Sequence, residues 1–115
     1  MLNKQLLPLL LLCIVAVTTA SAATITCSTV YSGLEPCLNY VVGGGKVPSE
    51  CCNGLKSLLG SARTTKDLQR ACYCVKSVAS SVTGAQISRA ASIPGICKAR
   101  IPFKISPDVD CSKIK

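Results

Sequence analysis

The chain has 115 residues, of which 49% are hydrophobic, and carries a formal net charge of +8 at neutral pH. This length suits one domain, and a core of that size alone gives only marginal stability. The chain has no histidine, no G-x-S-x-G motif and only five carboxylates, none of them arranged as a catalytic pair, so we do not expect an enzyme.

The N-terminal segment predicts a secretory signal peptide. Lys4 precedes an apolar run over 6–17, and the small residues Ala20-Ser21-Ala22 follow it. The run has about 12 residues, too few for a bilayer span of about 20. We expect residues 1–22 to be removed by cleavage after Ala22, with cleavage after Ala23 as the alternative. The mature domain, 23–115, would be extracellular with a charge of +7, because Lys4 leaves with the signal.

The first of four predicted helices lies between Thr26 and the glycines at 43–45. Apolar residues from Cys27 to Val41 recur at intervals of three and four, which is typical of one helix face. Thr26 can cap this helix, Pro36 should bend it, and the glycines should end it.

Three further helices follow in the sequence. The second starts after Ser49 and ends near Gly60. A capping-box pattern at 64–67, with aspartate in place of the usual glutamate, begins the third. The fourth is expected from Ala85 to Ser92, with Pro94-Gly95 ending it. The remaining residues, 98–115, show no sustained period and predict an irregular tail.

Eight cysteines remain after the signal, since Cys13 leaves with it, and an oxidising compartment predicts that all are paired. Cys72 and Cys74 lie about 200° apart on a helix and must bond to opposite sides, whereas Cys51 and Cys52 lie about 100° apart and reach two different elements. About a hundred pairings remain open on sequence alone. Zinc is disfavoured because C-C and C-x-C are not the usual C-x2-C spacing. We expect no metal and no cofactor.

The apolar residues permit two kinds of interior. The chain has no tryptophan, one phenylalanine and three tyrosines, so its core is mainly aliphatic. A tight aliphatic core is one interpretation. The other is a domain whose centre is left unfilled, because many disulfides hold it.

The cysteine spacing, C-x9-C-x13-CC-x19-C-x-C-x22-C-x13-C, together with the segments at 63–67 and 102–106, resembles the plant non-specific lipid transfer proteins of type 1. The resemblance implies an all-α fold: a four-helix, disulfide-stapled, right-handed bundle with an irregular C-terminal coil and an internal apolar tunnel. It also implies four disulfides, namely Cys27–Cys74, Cys37–Cys51, Cys52–Cys97 and Cys72–Cys111.

By the same resemblance, the domain would bind fatty acids, lysolipids and phospholipids in its tunnel and transfer them between membranes or to the extracellular matrix. Cuticle lipid deposition, plant defence and allergenicity are roles found in the family, in the cell wall or apoplast. The partners would be these lipids and, transiently, anionic membrane surfaces, with the protein as a monomer. Nucleic acid is not expected, because the chain is exported and its cations lack interleaved aromatic residues.

The lipid-binding residues that the resemblance implies form a set of apolar side chains with two charged ones. They are Val30, Leu34, Leu38, Leu58, Arg63, Asp67, Leu68, Val75, Ile87, Ala90, Ile101, Phe103 and Ile105. The apolar members could instead be ordinary core, Arg63 a solvated charge, and Asp67 a helix cap.

Two positions depart from the family pattern. Leu68 stands where arginine or lysine is usual, and Arg70, about 200° round the helix, is a poor substitute. Phe103 stands where a tyrosine hydroxyl is usual. Both changes remove polar contacts to a lipid head group and leave acyl-chain binding intact.

Two other functions remain as alternatives. The basic surface could disrupt anionic membranes, as an antimicrobial protein does. Related eight-cysteine helical domains also inhibit digestive hydrolases, although usually with a different cysteine spacing.

Overall fold

The computed structural model describes residues 25–115, and none of these lies in a β-strand. The predicted signal peptide, its cleavage site and Cys13 lie outside the described residues. The α-helical segments are α1 (Cys27–Leu34), α2 (Leu38–Gly43), α3 (Ser49–Ser61), α4 (Thr65–Ala79) and α5 (Gly84–Ile96). A 3-10 turn, Glu35–Cys37, joins α1 to α2 directly, so the segments make up the four predicted helices.

The first helix has the predicted cap, bend and end. The Thr26 hydroxyl accepts a hydrogen bond from the Thr29 amide at 3.2 Å. Pro36 falls in the 3-10 turn, where its missing N–H interrupts the helical ladder. The helix stops at Gly44, whose φ of 78° lies in a region that glycine adopts easily.

The starts of α4 and α5 depend on threonine caps. The Thr64 hydroxyl accepts a hydrogen bond from the Asp67 amide at 3.0 Å, which is one half of the predicted capping box. A complete box begins α5: the Gln86 amide donates to the Thr83 hydroxyl, and the Thr83 amide donates to the Gln86 side-chain oxygen. This T-x-x-Q motif starts the helix at Gly84, one residue before the predicted start.

The predicted end of α5 at Pro94-Gly95 is wrong, because the helix runs through Pro94 to Ile96. Proline removes one ladder hydrogen bond and crowds the carbonyl four residues earlier. Here only the last turn follows it, and in that turn the Cys97 amide still donates to the Ile93 carbonyl at 2.9 Å. The proline ring is buried, which offsets the lost hydrogen bond. The helix is terminated by Lys98, whose φ is 55°.

Four disulfides join the helices and the coil, with the pairings that the resemblance implied. Cys72 and Cys74 attach α4 to the C-terminal coil and to α1, as their opposite directions predicted. Cys51 and Cys52 attach α3 to the 3-10 turn and to the end of α5. Each bond contributes about 2–4 kcal/mol, so α3 and α4 are each held from two sides.

The helices α1 and α3 cross at two glycines. A Cβ atom on Gly54 would clash with the Gly33 carbonyl oxygen, and a Cβ on Gly33 would lie 2.8 Å from the Leu58 side chain. Buried side chains elsewhere form three small clusters rather than one large core. The two helices therefore approach each other closely enough for a backbone contact, which requires glycine at both positions.

The C-terminal coil is irregular, as predicted, apart from a short 3-10 turn at Cys111–Lys113. Its carbonyls accept hydrogen bonds from α4: the Lys76 ammonium donates to Val109 at 2.7 Å, and the Gln69 amide donates to Ile114 at 3.1 Å. Within residues 25–115, no helix combines the length and the hydrophobicity that a membrane span requires.

Candidate functional site

A cavity of about 380 Å³ lies between the helices and the coil. This volume is within the range of small-molecule binding sites. All five α-helical segments and the coil contribute to the wall. The wall consists of Ile25, Val30, Tyr31, Leu34, Cys37, Leu38, Val41, Leu55, Leu58, Leu59, Ala62, Leu68, Ala71, Val75, Val78, Ala79, Val82, Gln86, Ile87, Ala90, Ile93, Pro94, Ile101, Phe103 and Ile105.

Helix α4 shows how periodicity builds this wall. Leu68, Ala71, Val75 and Val78 are three or four residues apart and therefore share one face of the helix, the face that lines the cavity. At a rise of 1.5 Å per residue, the cavity follows α4 for about 15 Å. The site is elongated along this helix.

The coil closes one side of the cavity with alternate residues. Ile101, Phe103 and Ile105 line the wall, whereas Pro102 and Lys104 between them are exposed to solvent. The irregular tail thus has an apolar inner side, although it forms no regular element.

Only two of the wall residues, Tyr31 and Gln86, carry a polar side-chain group, and none is charged. The Tyr31 hydroxyl donates a hydrogen bond to the Cys74 carbonyl at 3.2 Å. The Gln86 oxygen accepts the Thr83 amide in the capping box. A cavity with so few free polar partners does not hold water well, and it accepts apolar guests.

Leu68 and Phe103, the two departures from the family pattern, both line the cavity. Both also pack against the buried cluster formed by Cys72, Cys111 and Ile114. The wall is therefore apolar at these two positions, where the family pattern would place a cation and a hydroxyl.

All of the predicted apolar site residues lie in the wall; they are Val30, Leu34, Leu38, Leu58, Leu68, Val75, Ile87, Ala90, Ile101, Phe103 and Ile105. The wall also contains residues that the predicted set omitted. Val78 and Ala71 share the helical face of Val75, so the spacing could have identified them. Pro94 and Gln86 had no such signal, because the predicted fourth helix ended too early and its capping box was not recognised.

The two charged members of the predicted set, Arg63 and Asp67, are not in the wall. Arg63 is exposed, and its Nε donates to the Gly60 carbonyl at 3.2 Å. The Asp67 amide takes part in the cap of α4. Both residues precede Leu68, the first residue of α4 that lines the cavity. A contact of either residue with a lipid head group stays a prediction.

Comparison with known proteins identifies the family of this chain. The model of the protease inhibitor/seed storage/LTP family matches residues 27–111. The chain belongs to this family. It is 50% identical over 91 residues to non-specific lipid-transfer protein 1 of Morus nigra, which covers 79% of this chain and all of that protein. It is 49% identical over 105 residues to non-specific lipid-transfer protein 1 of Solanum lycopersicum, covering 91% of this chain and 90% of the relative.

Solved structures in the family resemble this fold. Barley non-specific lipid transfer protein 1, in complex with a lysophosphatidylcholine, matches with a TM-score of 0.73 and 42% identity over 79% of this chain and all of that one. The wheat protein complexed with two molecules of phospholipid gives a TM-score of 0.70 and 40% identity over 78% of this chain and all of that one. The resemblance to the lipid transfer proteins is thereby confirmed.

Proposed function

We propose that this protein binds fatty acids, lysolipids and phospholipids by their acyl chains and carries them between membranes or to the extracellular matrix. The observation that carries the proposal is the cavity wall, which is almost entirely aliphatic and has no charged side chain. Relatives of the same fold are described in complex with a lysophospholipid and with phospholipid. Cuticle lipid deposition and defence are roles that suit such a carrier.

The hydrophobic effect is large enough for this binding. At about 0.8 kcal/mol per buried CH2, a chain of about 16 carbons gains roughly 12 kcal/mol before the cost of ordering it. Micromolar affinity requires about 8 kcal/mol. Binding therefore needs no specific contact to a head group, and broad lipid specificity follows. In this proposal the wall residues contact the acyl chain, and the protein performs no catalysis.

The proposal includes export and release of the mature domain. Residues 1–22 would be removed, and residues 23–115 would act as a monomer in the cell wall or apoplast. Eight paired cysteines support this, because disulfides form and persist in oxidising compartments.

Titration with a fluorescent long-chain fatty acid tests the proposal. The oxidised mature protein should saturate at one binding site, and lysolipid should displace the probe. Protein reduced and alkylated at its cysteines should lose the site, because the cavity depends on the disulfides. The proposal fails if the oxidised protein does not bind the probe.

Membrane disruption is a second candidate, favoured by the net charge and by exposed cations around the start of α4, namely Arg63, Lys66 and Arg70. Leakage from anionic vesicles should then vanish at about 0.5 M salt, where charges are screened within about 4 Å. At low salt, leakage should persist when a ligand blocks the cavity. Leakage that instead follows cavity occupancy would make it a result of lipid binding.

A further inference from the structure

We infer that the cavity accepts long-chain hydrocarbons with no head group, such as n-alkanes, about as well as fatty acids of equal chain length. This inference rests on the proposed lipid binding and names a ligand class beyond it. It follows from two features of the site: the polar groups of the wall are already hydrogen-bonded within the protein, and the wall is apolar at Leu68 and Phe103.

The polar groups of the wall are already engaged by the protein. The Tyr31 hydroxyl is bonded to the Cys74 carbonyl, and the Gln86 oxygen is bonded to the Thr83 amide. The Gln86 nitrogen is the remaining donor among the wall side chains, and the carboxamide that carries it is tethered to the start of α5. A carboxylate placed inside the cavity would lose its water and find almost nothing to replace it.

The wall at Leu68 and Phe103 offers no alternative. Both side chains pack against the cluster of Cys72, Cys111 and Ile114 and carry no donor. The cations nearest to them in sequence, Lys66, Arg70 and Lys104, are exposed and lie outside the wall. A bound fatty acid therefore keeps its carboxylate in water, where it is solvated as in the free ligand.

A head group that stays in water contributes little to affinity in either direction. The binding free energy then depends on the number of carbons that leave water, which is about one fewer for a fatty acid than for an alkane of equal length, because the carboxylate carbon stays in water. We expect their affinities to agree within about tenfold, a difference slightly larger than one ordinary hydrogen bond produces.

The test uses n-tetradecane and tetradecanoate with the oxidised mature protein. The protein is shaken with a tetradecane film, separated from it, and extracted for gas chromatography, while native mass spectrometry counts the bound molecules. We expect about one tetradecane per protein, displacement of a fluorescent fatty-acid probe by tetradecane, and recovery of the probe signal when tetradecane is removed.

The outcomes separate this inference from the proposed function. If tetradecanoate binds and tetradecane does not, the inference is overturned and the proposed function stands. If neither binds, both are overturned. If tetradecane binds without displacing the probe, it occupies another surface, and the inference is again overturned.

Restoring polarity at Leu68 and Phe103 provides a second test. Leu68→Arg combined with Phe103→Tyr should raise the affinity for tetradecanoate over that for tetradecane at least tenfold. Phe103→Tyr alone adds only a hydroxyl and should raise the ratio about fivefold, which keeps the test available if the double variant does not fold. An unchanged ratio in a folded variant would contradict the role assigned to these two positions.

Discussion

The crossing of α1 and α3 and the cavity beside α4 are packed in opposite ways. At the crossing, Gly33 and Gly54 bring two backbones together with no room for a methyl group. At the cavity, about 380 Å³ is left unfilled within the same small domain. The domain is thus tightly packed where α1 and α3 cross and unfilled where a ligand would lie.

The disulfides explain how the domain sustains that difference. An interior that side chains do not fill lowers stability, because the wall residues lose the contacts of a packed core. Four disulfides together contribute about 8–16 kcal/mol, mainly by restricting the unfolded chain. The disulfides therefore offset the stability that an unfilled interior loses.

Adding one methyl group at the crossing should have the largest effect. Gly54→Ala places a Cβ against the Gly33 carbonyl, which cannot move without displacing α1, so we expect a loss of about 3 kcal/mol or more. Gly60→Ala in the same helix is the control, because its Cβ would meet nothing within 4 Å and should stabilise the helix by up to about 1 kcal/mol. Denaturant unfolding measures both. Equal effects would contradict the close crossing.

Adding three carbons at the cavity should cost far less. Ala90→Leu extends a wall side chain into empty space, so we expect unfolding stability within about 1 kcal/mol of the original and a loss of affinity for the longest fatty acids. Ala85→Leu, on the exposed side of α5, is the matched control and should leave the chain-length limit unchanged. A strongly destabilised Ala90→Leu protein would mean that the cavity cannot accommodate the added carbons.

Breaking the polar contact between α2 and α5 should change stability by an amount between these two. Arg89 of α5 donates from Nη1 to the carbonyls of Val41 at 2.7 Å and Val42 at 3.1 Å, and so holds α2 and α5 together. Arg89→Leu should lower the free energy of unfolding by about 1–2 kcal/mol and speed amide exchange in α2. Arg89→Lys keeps a donor and should lose less. No difference between the two variants would show that the contact contributes little.

The smallest effect is expected where α5 passes into the coil. Lys98 has a φ of 55°. This backbone conformation is unfavourable for a residue with a Cβ atom but not for glycine. Glycine also gives the unfolded chain more conformational freedom, which lowers stability. Even with this loss, Lys98→Gly should raise the free energy of unfolding by about 0.5 kcal/mol. Lys104→Gly, also exposed in the coil but without positive φ, should lower it. Thermal unfolding of the two variants measures these changes. A lower melting temperature for Lys98→Gly would contradict the prediction.

Much of the wall could be predicted because helical spacing assigns faces without knowledge of the packing. Val30, Leu34 and Val75 belong to apolar stripes, and such stripes point inward whether the interior is filled or empty. For the same reason the spacing could not distinguish a tight core from a cavity. That choice depended on the family resemblance and on the structure, as did the disulfide pairing.

The errors have local physical causes. Proline usually ends a helix, but Pro94 is carried through the last turn of α5, where its ring is buried. The contact of Gly33 with Gly54 depends on how two helices cross, which no local pattern encodes.

The three separate clusters of buried side chains have a thermodynamic consequence. A domain with little continuous core has an interior that an acyl chain would complete, so the ligand acts as a removable part of the core. Its entry should give a negative heat-capacity change, the mark of apolar surface leaving water. At a free lipid concentration of about 100 times Kd, mass action adds about 2.7 kcal/mol to the stability of the folded state. A carrier of this kind is most stable when loaded, and each delivery returns it to its less stable form.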